Sequence, residues 1–216
     1  MRRGTSSRRI AWLLAACVAF GTTGPAAPQD AAAVATPAFP DDVALVAALR
    51  GGGHVLYLRH TSTDFGENDA QMTDYADCAK QRNLTDKGRA EARAIAGALA
   101  ALRIPVGPVL ASPYCRTMET ARLAFGAATP SAAVRGGPAQ PAAPERYAEL
   151  RALLATPVAR GSNLAIASHG NPFHGVAGPP YLAEGEMAVI APLGAGHFRV
   201  VARIRLERWE ALAAAK

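Results

Sequence analysis

Short, continuously apolar runs alternate along the chain with longer stretches of helical periodicity. His54 to Leu58, Val109-Leu110-Ala111 and Leu164-Ala165-Ile166-Ala167 are apolar at nearly every position, as strands buried on both faces are. Asp41 to Leu49 reads as a short helix with acids at its dipole-favoured start, broken by Gly51-Gly52-Gly53. Thr85 is placed to cap the strongest helix, whose apolar face is Ala94, Ile95, Ala98, Leu99 and Leu102 and which Pro105 stops. Ser112 as N-cap and Pro113 at the first helical position open another helix. Glu145 to Leu154 can form a further one, with Tyr147, Leu150, Leu153 and Leu154 inward. Met187 to Ile190 and Phe198 to Ile204 read as two antiparallel strands about a turn from Pro192 to His197, and Glu207 to Ala215 as a closing helix. Strands alternating with helices predict an α/β fold with a mostly parallel central sheet.

Polar residues gather where the apolar runs end. The first run exits into Arg59-His60 and the third into Ser168-His169-Gly170. The helix after the second run carries Arg116 within about one turn of its start, where free N–H groups and the dipole favour an anion. In open α/β sheets ligands collect at such strand ends. Two arginines and two histidines at one sheet edge suit a dianion, most naturally a phosphate. Glu119, three residues after Arg116, is placed to steer its guanidinium. Thr61 to Asn83 is long and polar and holds Asp64, Glu67, Asp69, Asp74 and Asp77. It lacks a spaced ligand pattern such as an EF-hand, so it reads as a solvated loop over the site. Gly126 to Pro144 is a second irregular connection. His54 is expected to be a half-buried strand residue and His174 an incidental loop residue.

The formal net charge of +6 is concentrated at one end, and setting aside Arg2, Arg3, Arg8 and Arg9 lowers it to +2. The body therefore gives no support to nucleic-acid binding. Those arginines precede a short apolar run, Ile10 to Phe20, too short to span a bilayer. Residues 1–20 are expected to be an export signal. Leu14-Ala15-Ala16-Cys17 resembles a bacterial lipobox, which implies a lipid anchor on Cys17; cleavage at a later Ala-rich site is the competing reading. Residues 21–40 read as a flexible linker and 41–216 as one domain. The expected location is the periplasm, soluble or membrane-anchored. With Cys17 lipidated or removed, Cys78 and Cys115 form an even pair in an oxidising compartment and are expected to be disulfide-bonded.

Four motifs in order resemble the histidine phosphatase superfamily, branch 1 of the phosphoglycerate mutase-like clan: Arg59-His60-Thr61, Leu84-Thr85-Asp86-Lys87-Gly88, Ser112-Pro113-Tyr114-Cys115-Arg116-Thr117 through Glu119-Thr120-Ala121, and Ser168-His169-Gly170. The resemblance spans roughly residues 53 to 204. It implies a three-layer α/β/α sandwich and a metal-independent phosphomonoesterase without cofactor, acting as a monomer on a small phosphorylated substrate. It makes His60 the nucleophile that forms a phosphohistidine, with Arg59, Arg116 and a cationic His169 binding the phosphoryl oxygens. Thr61 stands where the family has Gly, and its hydroxyl is free to donate to phosphate. Glu145 sits roughly where mutase-like members place the proton donor; Glu184, Glu186 and Asp64 are its rivals.

Other readings remain. A mutase would need long substrate-binding insertions that are absent, and a phosphohistidine-protein phosphatase would need a cytoplasmic partner. A metallohydrolase on His60, His169 and His174 matches no zinc spacing, and Arg59 and Arg116 would repel the ion. The main alternative is a non-catalytic envelope protein that binds an anionic ligand in the same pocket.

Overall fold

A computed structural model describes Met1, Phe39, residues 41–138 and residues 144–214. The expected export segment, Cys17 and nearly all of the 21–40 linker lie outside the described residues. Six strands form one sheet in the order β3-β2-β4-β1-β5-β6. These are β1 (Val55–Arg59), β2 (Val106–Ala111), β3 (Thr129–Pro130), β4 (Asn163–Ser168), β5 (Met187–Gly194) and β6 (His197–Ile204). β3, β2, β4 and β1 run parallel, and β5 and β6 close the sheet antiparallel. The helices are α1 (Asp42–Gly51), α2 (Asp86–Ala101), α3 (Cys115–Phe125), α4 (Ala148–Ala155), α5 (Gly170–Ala177) and α6 (Leu206–Ala214).

The continuous apolarity of β1 follows from its place in the middle of three layers. Leu56 and Leu58 pack with Leu45 and Leu49 of α1, Ile95 and Leu99 of α2 and Trp209 of α6. Val55 and Tyr57 face the other way, onto Leu150 and Leu154 of α4 and Phe173 of α5. Each such side chain stabilises the fold by roughly 1.5–3 kcal/mol when fully buried. The expected α/β/α sandwich with a mostly parallel sheet is the fold observed.

Register sets the site. Arg59 pairs with Ser168, and Ala111 pairs with Ala167, so the three strand exits stand side by side. Thr85 caps α2 as expected, accepting from the Gly88 amide at 3.0 Å. That first turn docks on the chain just past β1: Thr85 N donates to Ser62 O at 3.1 Å. A Cβ on Gly88 would lie 2.1 Å from the same Ser62 oxygen, so only glycine allows the approach.

Several local expectations are corrected. On α2 it is Ala92 that is buried, and Ala94 is exposed. Helix α3 is capped at Tyr114, not Ser112; the Ser112 hydroxyl is used elsewhere. Leu153 is only half-buried. β5 and β6 extend through the expected turn and are joined at Ala195-Gly196, with φ of 49° and 78°, as a tight hairpin requires. The segment holding His174 is helix α5, which its two glycines and Pro172 concealed.

Candidate active site

His60 leaves the end of β1 with its amide on Ser168 O at 3.0 Å, and its residue is 1% exposed. Its Nδ1 lies 3.0 Å from Thr61 O. A carbonyl only accepts, so Nδ1 carries the hydrogen and Nε2 holds the lone pair. Burial pushes the imidazole pKa down to about 3; the Thr61 carbonyl opposes this, and Arg116, Arg59 and Arg82 add to it. The ring is therefore neutral at physiological pH, as a nucleophile must be.

His169 follows β4 and meets His60 edge-on, ring centroids 5.5 Å apart. Its Nε2 lies 2.8 Å from the Ser112 hydroxyl, and its carbonyl accepts from Tyr57 Oη at 2.8 Å. This is why Ser112 does not cap α3. Burial holds His169 well below the ordinary histidine range, and His60, Arg116, Arg59 and Arg82 reinforce that. Its protein surroundings alone thus disfavour the cation expected there, and a negative charge beside the ring would act in the opposite direction.

Both expected arginines are fixed along one edge of the guanidinium. Arg116 donates through Nη1 and Nη2 to the two oxygens of Asp69, at 2.9 and 3.0 Å, and through Nη1 to Arg82 O at 3.1 Å. Glu119, expected beside it, instead pairs with Arg89 at 2.7 Å. Arg59 donates through Nη1 to Leu182 O at 2.7 Å and lies 3.5 Å from Glu184. In each case Nε is buried and has no acceptor, and the same is true of Arg82. Buried donors are rarely left so. All three arginines line one cavity of about 330 Å³ together with His60 and His169.

The 61–83 segment does more than cover the site. The expected Cys78–Cys115 disulfide is present, with Cα atoms 5.7 Å apart. Gln81 Oε1 accepts from the Cys115 amide at 2.9 Å, and Asp69 Oδ1 from the Arg82 amide at 2.9 Å. Glu67, Asp69 and Arg82 are thereby brought into the cavity wall. Burial pushes the Asp69 carboxyl up, but its bonds from Arg116 and the Arg82 amide outweigh this and hold it below the usual carboxylate range. A signal for Arg82 was present, since a bridge from Cys78 to the residue before Arg116 brings the residues just after Cys78 toward that arginine; nothing comparable marked Glu67 or Asp69.

Other expected residues lie elsewhere. Thr61 is fully buried, its hydroxyl 3.4 Å from that of Thr120, so it does not line the cavity and offers nothing to a phosphate. Glu145 is exposed on the 3-10 turn Pro144–Tyr147. Gly136 and Gly137 occupy the cavity wall in that region instead. Arg146 and Tyr147, rather than Glu145, turn back to the Gly136 and Pro138 carbonyls. Glu186 is buried in an ion pair with Arg203 at 2.8 Å. Asp64 is exposed and accepts from the Gly66 amide at 2.8 Å. Glu184 sits on the Nδ1 side of His60, 3.8 Å away, and accepts from the Thr63 hydroxyl at 2.7 Å; it supports His60 and Arg59 rather than facing a leaving group. His54 is half-buried, as expected. Among the described residues no group of His, Cys, Asp and Glu is arranged to hold a metal ion.

Residues 55–135 match the sequence profile of the histidine phosphatase superfamily (branch 1). No curated protein matches the chain. Among solved structures, the protein histidine phosphatase SixA complexed with tungstate aligns with a TM-score of 0.51 at 19% identity, over 72% of this chain and 98% of that one. A phosphoserine phosphatase from Entamoeba histolytica in complex with phosphoserine gives 0.49 at 11% identity, over 71% and 98%. A mycobacterial glucosyl-3-phosphoglycerate phosphatase gives 0.49 at 15% identity, over 68% and 96%. The SixA likeness establishes the shared fold.

Proposed function

We propose that this protein hydrolyses small phosphomonoesters through a phosphohistidine on His60, a reading that the match of residues 55–135 to the histidine phosphatase superfamily (branch 1) supports. One observation carries the reading. A neutral His60, its Nδ1 committed to the Thr61 carbonyl, lines a cavity together with the guanidinium-bearing residues Arg59, Arg82 and Arg116. An oxyanion there meets this cluster of positive charge, and the lone pair on Nε2 supplies the nucleophile.

In the first step Nε2 attacks phosphorus and the ester P–O bond breaks. Arg59 and Arg116, each already held by hydrogen bonds from its Nη atoms, hold their positive charge at the cavity wall for the phosphoryl oxygens before the reaction begins. Preorganised donors of this kind are each worth about 10²–10³ in rate. The dianion also draws a proton onto His169, with Ser112 holding the ring. Glu67 lines the cavity and, among the described residues, is held by the Asn83 amide at 2.7 Å rather than by a guanidinium. Asp69 is held ionised by Arg116, so Glu67 is the better donor for the departing alkoxide. Water then attacks phosphorus, Glu67 takes its proton, the P–N bond breaks, and inorganic phosphate leaves a neutral His60. The side-chain cations carry the charge stabilisation that a metal would otherwise supply, so the reaction proceeds without one.

The same reading places the protein outside the cytoplasm, lipid-anchored through Cys17 or released. The arginine-led apolar N-terminus supports export, and the disulfide supports an oxidising compartment. The mechanism is tested by quenching a reaction with a ³²P-labelled phosphomonoester. The expected product is an acid-labile, base-stable phosphoprotein that His60→Ala abolishes. Turnover without a trapped phosphoprotein, or label surviving His60→Ala, overturns it.

A further inference from the structure

Arg82 is the cation that the reaction above leaves unused. Its main chain is fixed: the amide donates to Asp69, the carbonyl accepts from Arg116, and the preceding Gln81 is buried and tied to Cys115. Its side chain reaches the same cavity, with the guanidinium 4.8 Å over the ring of Phe65. Phe65 is 73% exposed, so this guanidinium stands at the rim. The phosphoryl-binding groups lie deeper: Arg116 is 5% and His60 1% exposed.

The other two arginines each have a carboxylate of their own, Asp69 on Arg116 and Glu184 on Arg59. Among the described residues Arg82 has neither a carboxylate at ion-pair distance nor a side-chain hydrogen bond, and its Nε is buried without an acceptor. Asp69 and Glu184 act on it only at longer range, against repulsion from Arg116 and Arg59. A cavity of about 330 Å³ also holds more than one phosphoryl group; it is the size of a small-ligand pocket.

Resting on the phosphatase reading, we infer that Arg82 forms a second anion subsite. It selects phosphomonoesters that carry a further oxyanion, a carboxylate or a second phosphate, a short chain away from the scissile phosphoryl group. The arginine binds the non-reacting end, and Phe65 stacks behind it to hold the plane.

The test uses the full chain and a ladder of ethyl, propyl and butyl phosphates. Each is paired with twins that end in a carboxylate and in a second phosphate. At one or more chain lengths a twin is expected to exceed the plain ester by about tenfold in kcat/KM, through KM, as one charge-assisted contact at a half-exposed site gives. Arg82→Ala should erase that ratio and Arg82→Lys restore part of it. A carboxylate-only or phosphate-only preference identifies the partner group. Hydrolysis of every plain ester with no preference for any twin overturns the subsite alone, as does a preference that survives Arg82→Ala. Failure of wild-type protein to hydrolyse either series removes the phosphatase reading and the subsite together.

Discussion

Breaking the Cys78–Cys115 bridge in a Cys78→Ser/Cys115→Ser protein should cost both stability and substrate affinity. The bridge spans 37 residues, and the loop-closure entropy removed from the unfolded chain corresponds to about 4 kcal/mol at 25 °C. Against a typical total of about 5–15 kcal/mol that is a large fraction. Non-covalent ties remain in the double variant, since Gln81 still holds the Cys115 amide and Asp69 still holds Arg116. The fold should therefore survive, with the loop opening more often. Urea unfolding followed through buried Trp209 reads the stability loss. Steady-state kinetics should show a rise in KM of about tenfold, or about 1.4 kcal/mol, because the segment carrying Asp69 and Arg82 spends more time away from Arg116 once only non-covalent ties hold it. A stability loss below about 1 kcal/mol would refute the entropic reasoning. So would more reactive thiol in denatured, unreduced protein than Cys17 supplies.

Three further outcomes are expected. His60 and His169 are buried neutral, so unfolded chains bind more protons below pH 6.5; stability is full above that value and falls as pH drops from 6.5 toward about 3 for His60. Between about pH 7.5 and 5.5 His60 contributes a loss on the order of 1 kcal/mol, with His169 acting in the same direction, and His60→Asn or His169→Asn should reduce the pH dependence of the denaturation profile; an unchanged pH dependence in both variants contradicts the assignment. Gly88→Ala drives a Cβ into the Ser62 carbonyl and should lower stability by about 2–4 kcal/mol, a loss that Tm measurement would expose as absent if α2 can shift freely. Ser112→Ala leaves His169 Nε2 without its partner and should reduce kcat by about tenfold or more at little cost in fold; unchanged turnover would mean that the ring needs no such support.

The parts of the fold that were legible were those where burial dictates composition. β1 and β4 are sandwiched on both sides, so their apolar runs stood out, and the strand ends then pointed to Arg59, His60 and His169. Thr85 was legible because a cap hydroxyl and its helix are local in sequence. Helix α5 was not, because Gly170 at its start serves a close approach rather than helix propensity: a Cβ there would meet the Tyr181 ring at 2.3 Å. Side-chain partners proved hardest to foresee. Ser112 has the residue type of a cap but turns to His169, and Glu119 has the spacing to reach Arg116 but turns to Arg89. In both cases a tertiary contact outcompeted a local one. Arg82 and Asp69 lie in a segment without periodicity, and only the cysteine spacing tied it to the site.

The acceptorless guanidinium edges also bear on what happens after each turnover. The donors that draw in a substrate phosphoryl group draw in the inorganic phosphate it becomes. Any bound oxyanion stabilises the native state by mass action, by about 2.7 kcal/mol at a hundredfold excess over its Kd. Occupancy therefore works as a ballast: the protein resists unfolding and protease most where phosphate is plentiful, and turns over fastest where it is scarce. Surrounding phosphate then competes with substrate for the same site, so the same occupancy that protects the fold raises the substrate concentration needed for turnover.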